Sequence, residues 1–241
     1  GGDAKQILSL LNEKLEQQNH KEWIEQIKAW KKEYPLRQEA IEPNGVTPQM
    51  LFDALNELTK SEAIIATEVG QHQMWAAQFY EFRHPRQFIT SGGLGTMGFG
   101  LGAAMGAQVA NPDKKVINIA GDGSFHMNCN ELSTLAKYQI PMMELVVDNS
   151  VLGMVRQWQK LFYDNRFSQT TQDKKTDFVK LAEAFGVKAF EIRTKDELIP
   201  VLKEALSLKE PVLVACHIHR DFNVLPMVPA GASAEEPILE M

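Results

Sequence analysis

The chain has 241 residues, of which 44% are hydrophobic and 23% are charged, and its formal net charge is −6 at pH 7. This composition is typical of a soluble globular protein with one large α/β domain, or with one domain and part of another. The negative charge gives no electrostatic reason to bind nucleic acid, and no apolar run approaches the ~20 residues of a membrane span or resembles a signal peptide.

Two further features of composition bear on the protein's setting. Cys129 and Cys216 are too few for a disulfide framework, so we expect buried thiols and a reducing, cytoplasmic location. The sequence begins with Gly1 and Gly2 rather than with Met, and we expect it to be a piece of a longer protein.

Two amphipathic helices are predicted at the amino end, because apolar residues recur at helical spacing within residues 7–15 and again within residues 23–30. The second helix must end before Pro35, since a proline disfavours helix in the residue before it. Residues 37–46 are predicted to be a polar linker with proline and glycine breakers. Thr47-Pro48 then has the form of a helix start, with a capping residue followed by proline.

Helix and strand patterns alternate from residue 47 onward. The predicted helices are 48–58, 98–110, 130–138, 177–185 and 194–206, and the predicted strands are 63–67, 116–120, 142–147, 187–192 and 212–218. Gly186 is expected to end one helix in the left-handed conformation, and Thr194 with Glu197 forms the capping-box pattern of the next. The alternation predicts a doubly wound α/β fold, with a mostly parallel sheet and helices on both faces.

The feature with the most chemical meaning is Gly121-Asp122-Gly123, together with Asn149 after the next apolar run. The carboxyl ends of neighbouring parallel strands meet at one edge of the sheet, where ligands of open α/β folds bind. We therefore expect one carboxylate and one amide oxygen to meet there, which suits a magnesium ion that also binds a diphosphate. A helix beginning near Ser124 would direct free backbone N–H groups at a phosphate.

This stretch resembles the diphosphate-and-magnesium motif of thiamine diphosphate enzymes. Four other segments narrow the resemblance to the catalytic large subunit of acetolactate synthase (acetohydroxyacid synthase). They are VGQHQMWAAQ at 69–78, ITSGGLGTMG at 89–98, LGMVRQW at 152–158 and VLPMVPAG at 224–231. The resemblance covers nearly the whole chain and implies the thiamine diphosphate-binding fold for residues 47–241, with residues 1–36 as closing helices of a central domain.

The resemblance also implies an activity. The full-length enzyme would condense two pyruvates, or pyruvate and 2-ketobutyrate, with loss of CO2, on the route to branched-chain amino acids. It would use thiamine diphosphate and Mg²⁺, carry FAD on the central domain, form a homodimer or tetramer, and have a possible regulatory small subunit. The catalytic glutamate of the family lies on a separate amino-terminal domain, so we expect no catalytic residue in these 241 residues and no turnover by them alone.

Residue by residue, the resemblance assigns cofactor binding to one set of positions. They are Val69, Gly70, Gln71, His72, Gly95, Met97, Gly121, Asp122, Gly123, Ser124, Asn149, Val151, Leu152, Gly153 and Met154. Among these, Asp122, Asn149 and the backbone carbonyl of Val151 are expected to hold the metal. Gln71 and His72 are expected in a loop, donating hydrogen bonds to the diphosphate.

Three other assignments concern the remaining parts of the site. Met97 is expected beneath the cofactor, where it would hold the two rings in a bent arrangement. Trp158 and Arg156 are expected at the substrate channel. Asp148, Glu68 and Gly102 depart from the family's usual residues without removing a proposed ligand.

Several alternatives stay open at this point. GGLGTMG at 92–98 contains the glycine fingerprint of dinucleotide-binding folds, although a lone match is weak. A second alternative is another thiamine enzyme, such as a pyruvate oxidase or a 2-keto acid decarboxylase. A third is a non-catalytic diphosphate-binding module. A metal site of Cys216, His217 and His219 is disfavoured, because strand alternation places the cysteine opposite the two histidines.

Overall fold

A computed structural model describes residues 1–172 and 176–239 of the chain. It divides the chain into two compact units, Gly1–Arg37 and Gln38–Met241. Among the described residues, no helix combines the length and apolarity that crossing a bilayer requires.

The first unit contains the two amphipathic helices α1 (Ala4–Lys14) and α2 (Lys21–Glu33). Asp3 caps α1 by accepting a hydrogen bond from the backbone of Gln6, and α2 ends two residues before Pro35. Their apolar side chains are largely exposed. Their assignment to the end of a central domain stays a prediction.

The second unit is built on a six-stranded sheet in which every strand pair is parallel. In chain order the strands are β1 (Ile64–Thr67), β2 (Phe88–Thr90), β3 (Val116–Gly121), β4 (Met143–Asp148), β5 (Lys188–Ile192) and β6 (Val212–His217). Their order in the sheet is β2-β1-β3-β4-β6-β5. The chain passes from β1 to β2 on one side and then crosses to β3 on the other side of β1. The boundary between β1 and β3 is therefore the topological switch point, where folds of this kind bind ligands.

Helices cover both faces of this sheet. They are α3 (Pro48–Thr59), α4 (Gln71–Phe79), α5 (Gly100–Ala110), α6 (Asp122–Phe125), α7 (Leu132–Tyr138), α8 (Gly153–Phe162), α9 (Phe178–Ala184) and α10 (Lys195–Ser207). One apolar core joins α3, α4 and α10 to the sheet, and a second joins α5, α7 and α9 to the opposite face. Successive strand residues alternate between the two, so that Leu145 enters the first core and Val146 the second. The predicted doubly wound α/β fold is confirmed.

The predicted elements agree with the structure within a few residues at their ends, with three corrections. Residues 71–79 form helix α4 rather than a loop, and Phe88–Thr90 adds a strand that the sequence did not predict. The predicted helix 130–138 is divided into a 3-10 turn, Cys129–Glu131, and the α-helix α7. Gly186 has the expected positive φ of 78°, and Glu197 accepts hydrogen bonds from the backbone of Arg193 and Thr194 at the start of α10.

Candidate cofactor site

A cavity of about 260 Å³ opens at the carboxyl ends of β1, β3 and β4, next to the switch point. Every cofactor-binding residue predicted above lines it: Val69, Gly70, Gln71, His72, Gly95, Met97, Gly121, Asp122, Gly123, Ser124, Asn149, Val151, Leu152, Gly153 and Met154. Segments separated by as many as 85 positions thus share one cavity, as the parallel topology predicts. What they bind there stays a prediction.

Asp122 is the buried acid of this cavity. It begins the short helix α6 where β3 ends and is 4% exposed, and nearby backbone N–H groups, including those of Gly123 and Asn149, favour its ionised form. Burial raises the pKa of Asp122 to about 8, and the nearby charge of Asp148 adds to the effect. A divalent cation would supply the missing positive charge and stabilise the ionised form.

Asn149 lines the same cavity as Asp122 and carries a side-chain amide. Its side chain is buried, and Oδ1 accepts a hydrogen bond of 3.2 Å from the backbone N–H of Val151. An amide oxygen has two lone pairs, so one remains for a cation. Asp122, Asn149 and Val151 line the same cavity and offer the oxygen chemistry that magnesium prefers, while their role as metal ligands stays a prediction.

His72 lies in a helix rather than in the expected loop. It is buried in the first turn of α4, where burial lowers the pKa of its imidazole to about 3 although the ring hydrogen-bonds to the backbone carbonyl of Glu68. Its Nε2 atom is buried and has no hydrogen-bond partner among the described residues. An anionic ligand in the cavity would supply that partner and raise the pKa, which fits a diphosphate.

Gln71 requires a correction. The sequence assigned its amide N–H groups to the diphosphate, but Nε2 donates to Gln157 Oε1 at 2.9 Å and to the backbone oxygen of Phe222 at 3.0 Å. Both hydrogens of the amide are thereby used. Gln71 instead directs its oxygen at Asn149, whose Nδ2 lies 3.4 Å from Gln71 Oε1.

The amino end of α5 excludes the dinucleotide alternative. In that fold a pyrophosphate occupies the helix amino terminus that follows the glycine fingerprint. Here the carboxylate of Glu68 occupies it, because Oε2 accepts from Gly98 N at 2.6 Å and Oε1 from Leu101 N at 3.1 Å. Burial raises the pKa of Glu68, while these backbone donors oppose the rise. The same contacts hold the loop that carries Met97 to the cavity.

Buried Asp148, next to Asn149 in the chain, pairs with the partly buried His217. Although burial acts in the other direction, the hydrogen bond from His217 and its charge keep the pKa of Asp148 below the usual value. His217 Nδ1 lies 3.2 Å from Asp148 Oδ2, and its Nε2 lies 2.8 Å from Glu191 Oε1. Cys216 points into the apolar core on the other side of the strand, as alternation predicts.

The two predicted substrate-channel residues separate in the structure. Trp158 lines a second, larger groove that shares Met154 and Val155 with the cofactor cavity. Arg156 instead donates to Asp221 at 3.0 Å and stacks on the ring of Phe167 at 3.9 Å. Its guanidinium is therefore engaged within the chain, so the proposal for the channel depends on Trp158.

Sequence reasoning missed three cavity residues and one supporting residue. Trp75, Val147 and Val155 also line the cavity, and Gln157 holds Gln71 from behind. Three of the four lie within the quoted segments 69–78 and 152–158, so proximity to the motif was the available signal. Nothing in the sequence indicates which of their neighbours face the ligand.

Comparison with known proteins agrees with this geometry. The family described as "Thiamine pyrophosphate enzyme, C-terminal TPP binding domain" matches residues 68–216, which include the switch-point edge of the sheet. The chain belongs to this family. Membership supports thiamine diphosphate as the cofactor of this domain, while its binding at Asp122 and His72 stays a prediction.

Three similar proteins are described as acetolactate synthase subunits. The chain is 45% identical to the mitochondrial acetolactate synthase catalytic subunit of Saccharomyces cerevisiae over 98% of its own length and 35% of that protein. It is 41% identical to the large subunit of acetolactate synthase isozyme 2 of Escherichia coli, over 98% of the chain and 42% of the relative. It is 44% identical to the acetolactate synthase large subunit of Haemophilus influenzae, over 99% of the chain and 43% of the relative. The chain thus spans about two fifths of the length of these relatives.

Proposed function

We propose that this chain is the carboxyl-terminal cofactor-binding part of an acetolactate synthase catalytic subunit. The observation that carries the proposal is the cavity at the sheet edge, where Asp122 and Asn149 meet and His72 lacks a partner. Similarity over almost the whole chain to three acetolactate synthase subunits supports the reaction: condensation of two pyruvates, or of pyruvate with 2-ketobutyrate, with loss of CO2.

Each part of the cavity has a proposed task. Asp122, Asn149 and the Val151 carbonyl would hold Mg²⁺, which neutralises the charge of a diphosphate. Thiamine diphosphate, when bound, supplies the carbon acid on which this chemistry depends. Met97, on the loop fixed by Glu68, would pack beneath its rings, and Leu152, Gly153 and Met154 would lie along them.

The groove lined by Trp158 is the proposed path for the 2-keto acid. It is continuous with the cofactor cavity through Met154 and Val155, and its lining is largely apolar, which suits exclusion of water during the reaction. The groove also contains Arg166, a cation that suits the carboxylate of a keto acid.

The wider context is part of the proposal. We propose FAD in the full-length enzyme, a homodimer or tetramer, a regulatory small subunit and a cytoplasmic location, while the Saccharomyces relative is described as mitochondrial. The expectation that these 241 residues alone form no acetolactate stays a prediction, which an assay of acetolactate with pyruvate, thiamine diphosphate and Mg²⁺ would check.

Calorimetric titration of the chain with thiamine diphosphate, with and without Mg²⁺, tests the site. We expect binding that requires the cation. Binding of equal strength in EDTA would refute the metal cluster, and absence of binding under both conditions would refute the cofactor site in this chain. Product analysis of the full-length enzyme tests the reaction, because a pyruvate oxidase or a 2-keto acid decarboxylase would form no acetolactate.

A further inference from the structure

A chain of three buried side-chain amides leads from the carboxyl-terminal segment to the proposed metal cluster. It begins at the backbone of Val224, passes through Gln157 on α8 and Gln71 on α4, and ends at Asn149. The three side chains are 5%, 4% and 9% exposed, so water cannot readily replace a lost partner.

The backbone of Val224 fixes the orientation of the first amide. Its N–H donates to Gln157 Oε1 at 2.9 Å, and its carbonyl accepts from Gln157 Nε2 at 2.9 Å. A backbone N–H can only donate and a carbonyl can only accept, so a reversed Gln157 amide would bring donor against donor and acceptor against acceptor.

The orientation of the Gln157 amide determines the orientation of the next two amides. Because Gln157 directs its oxygen at Gln71, Gln71 must present Nε2 there, and its second hydrogen goes to Phe222 O at 3.0 Å. Gln71 Oε1 then faces the Nδ2 group of Asn149 at 3.4 Å. The oxygen of Asn149 is thereby left for Val151 N and for a cation.

We propose that Gln157 is a positioning residue, which sets the orientation of the Gln71 and Asn149 amides so that Asn149 presents oxygen rather than nitrogen to the divalent cation. The proposal rests on the function proposed above. It has a direct chemical consequence, because the lone pair of the amide NH2 nitrogen is delocalised into the carbonyl group and is not offered to Mg²⁺, whereas the amide oxygen is a good ligand.

The fold provides space for this arrangement at one glycine. A Cβ atom built on Gly153 would collide with Gln71 Oε1 and would lie 2.9 Å from Asn149 Nδ2. The last contact of the amide chain therefore runs directly across the first residue of α8. Gln157 lies one turn further along the same helix.

The first experiment compares three variants of the full 241-residue chain. Gln157→Met keeps the size of the side chain and removes all its hydrogen bonds. Gln157→Glu keeps an acceptor facing Gln71 and Val224 N, and its protonated form keeps a donor facing the Val224 carbonyl. Gln78→Met is the matched control, since Gln78 Nε2 donates to Leu225 O at 3.1 Å and so ties down the same carboxyl-terminal segment without joining the amide chain.

The measured quantity is the Mg²⁺ concentration that half-saturates thiamine diphosphate binding in calorimetry. We expect Gln157→Met to raise it about tenfold, the effect of losing one to two net hydrogen bonds, and Gln157→Glu to stay within about threefold of the parent. Gln78→Met should leave it unchanged. An unchanged value for Gln157→Met, or an equal rise for Gln78→Met, would overturn the proposal, since the second result would mean that docking of the segment alone matters.

A second measurement needs no ligand. In a two-dimensional ¹⁵N–¹H spectrum of the parent chain, the side-chain NH2 groups of Gln71 and Asn149 should exchange slowly with water, and both should lose protection in Gln157→Met. Fast exchange of both groups in the parent would overturn the proposal even if Gln157→Met failed to fold. If the parent bound no thiamine diphosphate, the proposed function would fail, while this spectrum would still decide the role of Gln157.

Discussion

Gly100, the first residue of α5, gives a sharp test of how closely this helix packs on the sheet. A methyl group added there would lie 2.6 Å from the backbone nitrogen of Glu68, 2.7 Å from the carbonyl carbon of Thr67 and 2.5 Å from Asn118 Oδ1. The first two atoms belong to the backbone at the end of β1. They cannot rotate away, so the helix itself must move.

The magnitude follows from this geometry. Ordinary contact begins at 3.4 Å, so Gly100→Ala must displace the start of α5 by roughly 0.8 Å. Overpacking of this kind lowers the free energy of unfolding by about 2–3 kcal/mol, and the better helix propensity of alanine offsets at most about 1 kcal/mol of this loss. We therefore expect a net loss of about 2 kcal/mol, or a fall in Tm of about 4–8 °C for a domain of this size.

Gly102→Ala is the matched control on the same helix. Gly102 is exposed, and no atom of the described residues comes within 4 Å of a Cβ built there. The same substitution should therefore raise stability by about 0.5–1 kcal/mol. Thermal melts followed by circular dichroism and calorimetry measure both. Shifts of the same sign for the two variants would refute the argument from close packing.

Three further substitutions test separate parts of the structure. Asp122→Asn removes the carboxylate but keeps its shape, so Mg²⁺ should no longer strengthen thiamine diphosphate binding in calorimetry, a loss of at least about tenfold. Glu144→Gln should make stability to urea less dependent on pH. Burial raises the pKa of Glu144 in the folded chain well above its usual value, so the folded state favours the neutral carboxyl group. The contribution of Glu144 to stability is therefore complete at low pH and is lost as the pH rises toward the folded pKa. Glu197→Ala should lower the midpoint of urea unfolding, because its carboxylate caps two backbone N–H groups at the start of α10.

Each of these has a control. Asp113→Asn changes an exposed acid and should leave cofactor binding intact; equal losses in both aspartate variants would contradict the assignment of Asp122. Glu144→Gln and the parent should unfold alike at pH 5, whereas the variant should be the more stable at pH 9, and the reverse order would disprove a neutral Glu144. Asp196→Ala, an exposed change beside Glu197, should shift stability by less than about 0.5 kcal/mol.

Local elements were largely predictable because their causes are local. Apolar spacing predicted the strands, Thr47-Pro48 the start of α3, and Gly186 the end of α9. Helix α4 was missed because it follows β1 almost directly, is preceded by Gly70, which has no side chain to cap it, and buries polar residues in its first turn. Strand β2 was missed because three residues are too few for a periodic pattern.

The sequence alone determined which segments meet. Parallel strands joined by helices must bring the ends of β1, β3 and β4 to one edge, so the residues after them line one cavity. Only the tertiary structure decided how each polar group is used there: that Glu68 fills the amino end of α5, that Gln71 gives its hydrogens to Gln157 and Phe222, and that Arg156 pairs with Asp221. The reason is physical, since a buried polar group takes its orientation from whichever partners packing brings near, and here those partners lie between 30 and 151 positions away along the chain.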